Sequence, residues 1–146
     1  MAQTPAVFVQ TGKSIDYTPS SAVTAGDVVV QGKLVGIAKI DIEADILGAL
    51  STEGVFDVPK DSSNVTAVGT ALYWDADGSP VGGTALSGAF TTTATGNTFA
   101  GWSLEVAGVA VGTIRLLLCS AKDAATMGAD DEDPGEAPAA PEMETA

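Results

Sequence analysis

Three short segments of the 146-residue chain hold residue types that could bind a ligand or an ion. The first, Gly12-Lys13-Ser14, matches the end of a phosphate-binding loop, in which backbone amides and a lysine surround the phosphates of a nucleotide. The first glycine of such a loop would stand where the sequence has Val7. The run that follows is strand-like and ends at Pro19, so it offers no helix N-terminus to a phosphate. The segment is therefore predicted to be a hairpin turn.

The second segment, Asp75-Ala76-Asp77-Gly78, resembles the opening of a calcium loop. That loop requires another acid before its glycine and a glutamate further on, at the position where this sequence has Thr84. A turn between two strands is the favoured interpretation, because Asp-Gly is a strong hairpin signal. An ion at Asp75 and Asp77 is the alternative, and the same pair is what a hydrolase would use.

The third segment alternates acids with other residues, at Asp41, Glu43 and Asp45. On an extended backbone these carboxylates would share one face. We expect a solvated acidic edge, with a metal site as the alternative.

The histidine and cysteine content argues against an enzyme. The chain has no His, so it lacks the side chain that titrates near neutral pH and most often binds metals, and no Ser/His/Asp triad can form. The single cysteine, Cys119, excludes an intrachain disulfide and a CxxC metal site. Its place in an apolar run predicts a buried small hydrophobe. We therefore expect neither enzymatic activity nor a cofactor.

The net charge of -13 is unevenly distributed. Residues 121–146 hold eight acids against one lysine, whereas residues 1–120 hold eleven acids and five bases. Those bases are scattered, so no nucleic-acid partner is expected. No run approaches the roughly 20 apolar residues of a membrane helix, and no membrane partner is expected. The first residues lack the basic region and the longer apolar core of a secretion signal, which indicates synthesis and assembly in a cytoplasm.

The elements that must carry these segments are short β-type runs, separated by Gly, Pro, Asp or Ser. The pattern predicts an all-β fold, either a small β-barrel-like or a β-sandwich domain. Gly26-Asp27, Gly32-Lys33, Gly82-Gly83 and Gly96-Asn97 are the predicted turns. The helical spacing around Ile46 is interrupted by Gly48 and is interpreted as a loop or a single helical turn. The candidate strands are residues 7–10, 15–18, 27–31, 34–39, 50–58, 70–74, 99–106 and 113–119.

Composition divides the chain into an N-terminal arm (residues 1–10), a β domain (residues 11–120) and an acidic tail (residues 121–146). Within the domain, residues 78–98 are rich in Gly, Ser and Thr and are predicted to form a long mobile hairpin or β-arm. The tail has few large apolar residues and is predicted to be disordered, either repelling other polyanions or serving only to keep the protein in solution.

Four of these runs are distinctive: GDVV at 26–29, VGIA at 35–38, EGVF at 53–56 leading into Pro59, and Val68-Gly69 before Tyr73-Trp74-Asp75. In this order the runs resemble the capsid cement, or head decoration, proteins of tailed bacteriophages, over roughly residues 6–118. Some members of that family have been labelled recombinase-like, a function that the incomplete phosphate loop and the scattered bases do not support. Three regions depart from the family pattern: residues 41–47 and 85–98 are longer, and the acidic tail is additional.

The resemblance implies a structural protein that stabilises the capsid from the outside of an icosahedral shell, usually as a trimer at or near threefold axes. The expected partners are the major capsid protein and further copies of the chain, and the expected location is the capsid exterior of the virion. From the residues we add two hypotheses about contacts. The arm is expected to contact the capsid through Ala6, Val7, Phe8, Val9 and Gln10. The trimer interface is expected to use Thr91, Thr92, Thr93, Phe99 and Trp102.

The alternative function is a soluble β-sandwich binding module, for carbohydrate or for host-surface adhesion. Exposed tryptophans stack on sugars, and the chain has Trp74 and Trp102. Their positions in strand-like runs favour packing inside the fold.

Overall fold

The structure, a computed structural model, describes residues 2–119, which form nine β-strands in two sheets and no helix. The predicted all-β class is confirmed, and the predicted tail lies outside the described residues. The strands are β1 (Ser14–Tyr17), β2 (Val28–Gln31), β3 (Leu34–Ile37), β4 (Gly48–Ser51), β5 (Gly54–Pro59), β6 (Ala71–Asp75), β7 (Ala89–Thr91), β8 (Thr98–Ser103) and β9 (Thr113–Leu118).

The first sheet has the strand order β1-β4-β3-β2, with antiparallel pairs throughout. The β2–β3 hairpin turns at Gly32-Lys33, as predicted, and Gly32 supplies the positive φ of 65° that such a short turn needs. Val35 and Ile37 belong to the main core that this sheet shares with the second one. A smaller core, formed around Leu50, includes Ala38 and Ile42 from the loop between β3 and β4.

The second sheet has the strand order β5-β9-β8-β6-β7, and it curls until its two edges meet. Lys60, directly after β5, forms a parallel bridge with Phe90 in β7, and the Asp61 amide donates to the Phe90 carbonyl at 3.0 Å. The result is a small barrel-like body, with Leu72, Phe90 and Ile114 fully buried inside it. Each such side chain stabilises the fold by roughly 1.5–3 kcal/mol through burial.

The strand predictions failed in three places. Residues 7–10 are exposed and form no strand, since strand-forming residues need a partner strand and none within residues 2–119 pairs with them. The predicted strand at 50–58 is divided between β4 and β5, because the chain turns at Gly54 with a φ of 137°. Residues 104–106 leave β8 and enter a loop.

The Gly/Thr-rich segment also differs from its prediction. Its centre, Ala89–Thr91, is β7, a buried strand paired along β6. The segment is therefore partly built into the barrel and does not project from it as one long arm. The predicted turns at Gly82-Gly83 and Gly96-Asn97 are confirmed on either side of β7. Flanking glycines and threonines concealed a three-residue strand that is stabilised almost entirely by tertiary contacts.

Lys60 is the least expected residue of the core, because its side chain is fully buried beside the seam between β5 and β7. Its Nζ donates to the carbonyl oxygens of Asp61 at 2.7 Å and Ser63 at 2.5 Å. Burial lowers the pKa of the Lys60 ammonium below its ordinary value of 10.5, and the nearby charge of Asp61 opposes that shift. The amine is held by backbone carbonyls, which gives it a structural role in closing the barrel.

Because of Lys60, the free energy of unfolding should change with pH in the alkaline range. The unfolded chain has the ordinary lysine pKa and so binds more protons than the folded chain between the folded-state value and 10.5. The free energy of unfolding should therefore rise with pH through that window. Lys60→Met removes this rise and leaves two carbonyls without their donor, at a cost of about 1–3 kcal/mol at neutral pH. Urea unfolding of the wild type and of Lys60→Met at neutral and alkaline pH measures the free energy of unfolding of each protein. If the difference between the two stays constant with pH, the pKa of Lys60 is not lowered in the folded chain.

Candidate functional site

The N-terminal arm is the most solvent-exposed apolar segment among the described residues. Val7, Phe8 and Val9 are 79–84% exposed, and residues 2–13 contain no strand. Gln10 donates from Nε2 to the Ser14 carbonyl at 3.0 Å, which ties the base of the arm to β1. β1 pairs on one side only, with β4, so the arm continues from an edge strand. Apolar side chains held this far into solvent are typical of a segment that binds another molecule.

The Gly12-Lys13-Ser14 segment, at the base of the arm, holds no phosphate-binding geometry. Gly12 has a positive φ of 82°, and β1 follows directly where a phosphate loop would need a helix. The predicted hairpin is wrong as well, because no strand precedes the bend within residues 2–13. The bend is instead hydrogen-bonded to Thr52, which directly follows β4. The Thr52 hydroxyl donates to the Gly12 carbonyl, and the Thr52 amide donates to the Lys13 carbonyl at 3.0 Å.

The threonines proposed for a trimer interface surround the end of β7. Thr91 is buried, and its hydroxyl lies 3.1 Å from the Ser63 hydroxyl. The Thr92 amide donates to that same serine oxygen at 3.2 Å, and the Thr93 amide donates to Thr91 Oγ1 at 3.2 Å. Thr92 is half-buried and Thr93 exposed, so these two retain surface that another molecule can contact.

The two aromatic residues of the same hypothesis lie on β8, on the side of the second sheet that faces away from its core. Phe99 is buried between Tyr73, at a ring distance of 5.8 Å, and Trp102, at 5.4 Å. Trp102 is half-buried. Strand register places Thr91 and Phe99 on either side of Tyr73, so the structure brings β7 and β8 residues of the hypothesis into one row.

The carboxylates that resembled metal ligands support local backbone structure. The Asp75 side chain accepts the Asp77 amide at 3.0 Å, and the Gly78 amide donates to the Asp75 carbonyl at 3.0 Å, which confirms the predicted turn. Asp41 accepts the amide of Ala25 at 2.8 Å. Within residues 2–119 no three His, Cys, Asp or Glu residues converge in a manner that could hold a metal ion.

Both tryptophans pack against other aromatic rings. Trp74 lies 5.0 Å from Phe90, with the rings tilted by 58°, and Trp102 meets Phe99 at 68°. These contacts favour packing over sugar stacking. Cys119 is buried, as predicted. No helix in the described part of the chain is long and apolar enough to cross a membrane.

An open cleft of about 640 Å³ lies where the first sheet meets the barrel. Its walls combine one lysine, one glutamate and the apolar side chains of β8 and β9. The lining residues are Lys13, Glu53, Gly54, Trp102, Leu117, Leu118 and Cys119.

Comparison with protein families gives the decisive observation. The family described as phage cement protein matches residues 9–118, a span that contains all nine strands. The chain belongs to the phage cement protein family. Comparisons with curated proteins and with solved structures gave no significant match.

Membership in the cement protein family confirms the resemblance found in the sequence and gives the chain a structural role at the phage capsid, on the exterior of the virion. The family is structural and not enzymatic. The match begins at Val9, so Ala6, Val7 and Phe8 of the arm precede the part shared with the family.

Proposed function

We propose that this cement protein binds the outer surface of an icosahedral capsid as trimers at or near its threefold axes, and that its N-terminal arm contacts the major capsid protein. Assembly takes place in the host cytoplasm. The observation that carries the proposal is the exposed apolar arm on a chain of the cement family. The barrel supplies a rigid body, and the arm supplies a segment that can bind elsewhere.

The arm is suited to strand addition on a capsid subunit. Val7, Phe8 and Val9 have high β propensity and carry no charge. An extended segment that joins the edge of another sheet gains main-chain hydrogen bonds, and alternate side chains enter pockets on either face. The half-exposed surface of Thr92 and Trp102 remains available for contacts between subunits.

Trimer formation strengthens weak contacts by multivalency. Three arms on one body make the second and third binding events intramolecular, which raises overall affinity by about 10²–10⁴ without any new contact. A small domain can then hold a shell together without a large interface on each copy.

The proposal is tested by adding the purified full chain to capsids that lack it. We expect co-sedimentation with the capsids and a higher temperature of capsid disruption than in the untreated sample. An electron density map of the decorated particle should show three copies around each occupied threefold axis. Absence of binding would refute the capsid role, and density at other positions would refute the threefold placement alone.

A further inference from the structure

The outer side of β5, β9 and β8 exposes large apolar residues in a continuous row. Register places Val55 opposite Leu117, and Leu117 opposite Trp102, across three neighbouring strands. Val55 is 56% exposed and Leu117 38% exposed, whereas Leu116 and Leu118 on the other side of β9 are fully buried. The main core lies on the opposite side of the sheet, and on this side Trp102 packs against a small buried cluster of Tyr73, Phe99 and Cys119. Val55 and Leu117 belong to neither cluster and remain exposed.

A second row extends this surface toward the end of β8. Arg115 binds Asp57 with its Nε at 2.9 Å and its Nη2 at 3.2 Å. The Leu104 amide donates to the Arg115 carbonyl at 2.9 Å, and the Leu104 side chain is 37% exposed. We call this surface the outer apolar face; it consists of Val55, Asp57, Trp102, Leu104, Arg115 and Leu117.

The cleft beside Trp102 and Leu117 makes the face more than a flat patch. Its volume of about 640 Å³ is open at the point where the apolar row ends. Tryptophan is one of the residue types that contribute most to binding when an interface covers them, and Trp102 lines this recess.

The charges on and beside the outer apolar face are nearly balanced. Arg115 is paired with Asp57, and the Glu105 carboxylate accepts the Arg115 amide at 3.1 Å. The cleft adds Lys13 and Glu53, so two bases and three acids lie here, out of five bases and eleven acids in residues 1–120. Elsewhere the excess of acids repels a second copy.

We propose that the outer apolar face is the surface through which copies of this chain contact one another around the threefold axis. The inference rests on the proposed trimer. Around such an axis every copy turns the same surface inward. An unpaired charge on that surface would therefore lie close to the identical charge of the other copies and be repelled by it. The outer apolar face avoids this repulsion, because its rows are apolar and the charges of Asp57 and Arg115 are paired. The proposed contact includes Trp102, which the sequence hypothesis also placed in the trimer interface. The arm lies outside this contact and can bind the capsid.

Four variants of the full chain test this assignment. Leu117→Glu and Val55→Glu each put a charge on the face. Val30→Glu and Ile46→Glu are matched controls, because Val30 is 38% and Ile46 54% exposed, outside the face. Each variant is first checked for an unchanged circular dichroism spectrum, and the second face variant keeps the test valid if one misfolds.

Oligomeric state is measured by light scattering in solution and by chemical cross-linking on capsids. We expect trimers of the wild type and of both controls, and an association weakened about tenfold or more in the face variants. Face variants that remain trimers at wild-type concentrations overturn the inference. A wild type that is monomeric both in solution and on capsids also overturns it.

Capsid binding measured in parallel separates this inference from the proposed function. Wild-type trimers that the face variants disrupt, but that do not bind capsids, would support the inference and refute the capsid role. Face variants that remain trimers and lose capsid binding would show that the shell covers this face, which overturns the inference and leaves the capsid role standing.

Discussion

Replacing Gly101 with alanine should unfold the domain or lower its melting temperature by roughly 10 °C or more. A Cβ atom at this position would lie 1.9 Å from the carbonyl oxygen of Leu117 and 3.2 Å from the amide nitrogen of Cys119. Both atoms belong to the backbone, so no side-chain rotation relieves the overlap.

The sheet cannot open locally to make room at Gly101. β8 lies between β9 and β6, and β9 is itself paired with β5 over six residues. Moving β9 away would break hydrogen bonds on both of its sides. Overpacking in a well-packed core costs about 1–3 kcal/mol, and a backbone overlap belongs at or above the top of that range. Each kcal/mol lowers the melting temperature by roughly 2–8 °C in domains of this size, which gives the expected shift.

Gly108→Ala is the matched control for Gly101→Ala. Its added Cβ would meet no atom within 4 Å, and its φ lies outside the left-handed region. Its stability should stay within about 0.5 kcal/mol of wild type. Thermal unfolding followed by circular dichroism compares the variants. If the melting temperature of Gly101→Ala equals that of Gly108→Ala, β8 and β9 do not approach each other so closely.

The sequence contains a feature that indicates the special role of Gly101, although the strand predictions did not take it into account. An isolated glycine inside a strand, here between Ala100 and Trp102, indicates a bulge or a close backbone approach. Pairing irregularity does occur next to it, between Leu72 and Tyr73 of β6. The glycine itself could be read from the sequence, but its clash partner depends on register, which local residue types do not determine.

Strands with a strong alternating pattern were predicted well, and those that depend on distant partners were not. β9 alternates exposed and buried residues throughout, which is the pattern its sequence predicts. β7 has three residues and its neighbours are turn formers, so only its pairing with β6 identifies it. Lys60 follows a proline and carries a charge, features typical of a surface residue, yet it is buried where the barrel closes.

The candidate interaction surfaces were predictable to different degrees. The arm was proposed from its strand-forming and uncharged residues at the N-terminus, and the structure leaves those residues exposed. The outer apolar face was not proposed from the sequence, because Val55, Leu104 and Leu117 come from three separate strands or loops and meet only through register. Family membership followed from the order of runs, a property that survives errors in individual strand boundaries.

Deleting residues 2–10 should weaken binding to capsids by about 10²-fold or more, with little effect on the fold. Val7, Phe8 and Val9 are 79–84% exposed, so their removal takes nothing from the core. The deletion removes the hydrogen bond from Gln10 to Ser14, which lies at the surface. Three arms on a trimer would all be lost together, and the loss of multivalent binding is correspondingly large.

Co-sedimentation of the deletion variant with capsids, over a range of protein concentrations, measures the effect. Phe8→Ser with an intact backbone is the companion variant: it removes the largest apolar side chain of the arm and should reduce binding less than the deletion does. Replacing Gln3 with Ala is the matched control on the same arm and should leave binding unchanged, because this residue offers no apolar anchor.

The circular dichroism spectrum and the melting temperature of all variants should match those of the wild type, since the strands begin at Ser14. If the deletion variant binds capsids as tightly as the full chain, the arm is not the capsid contact, and the capsid role would have to rest on the body of the barrel.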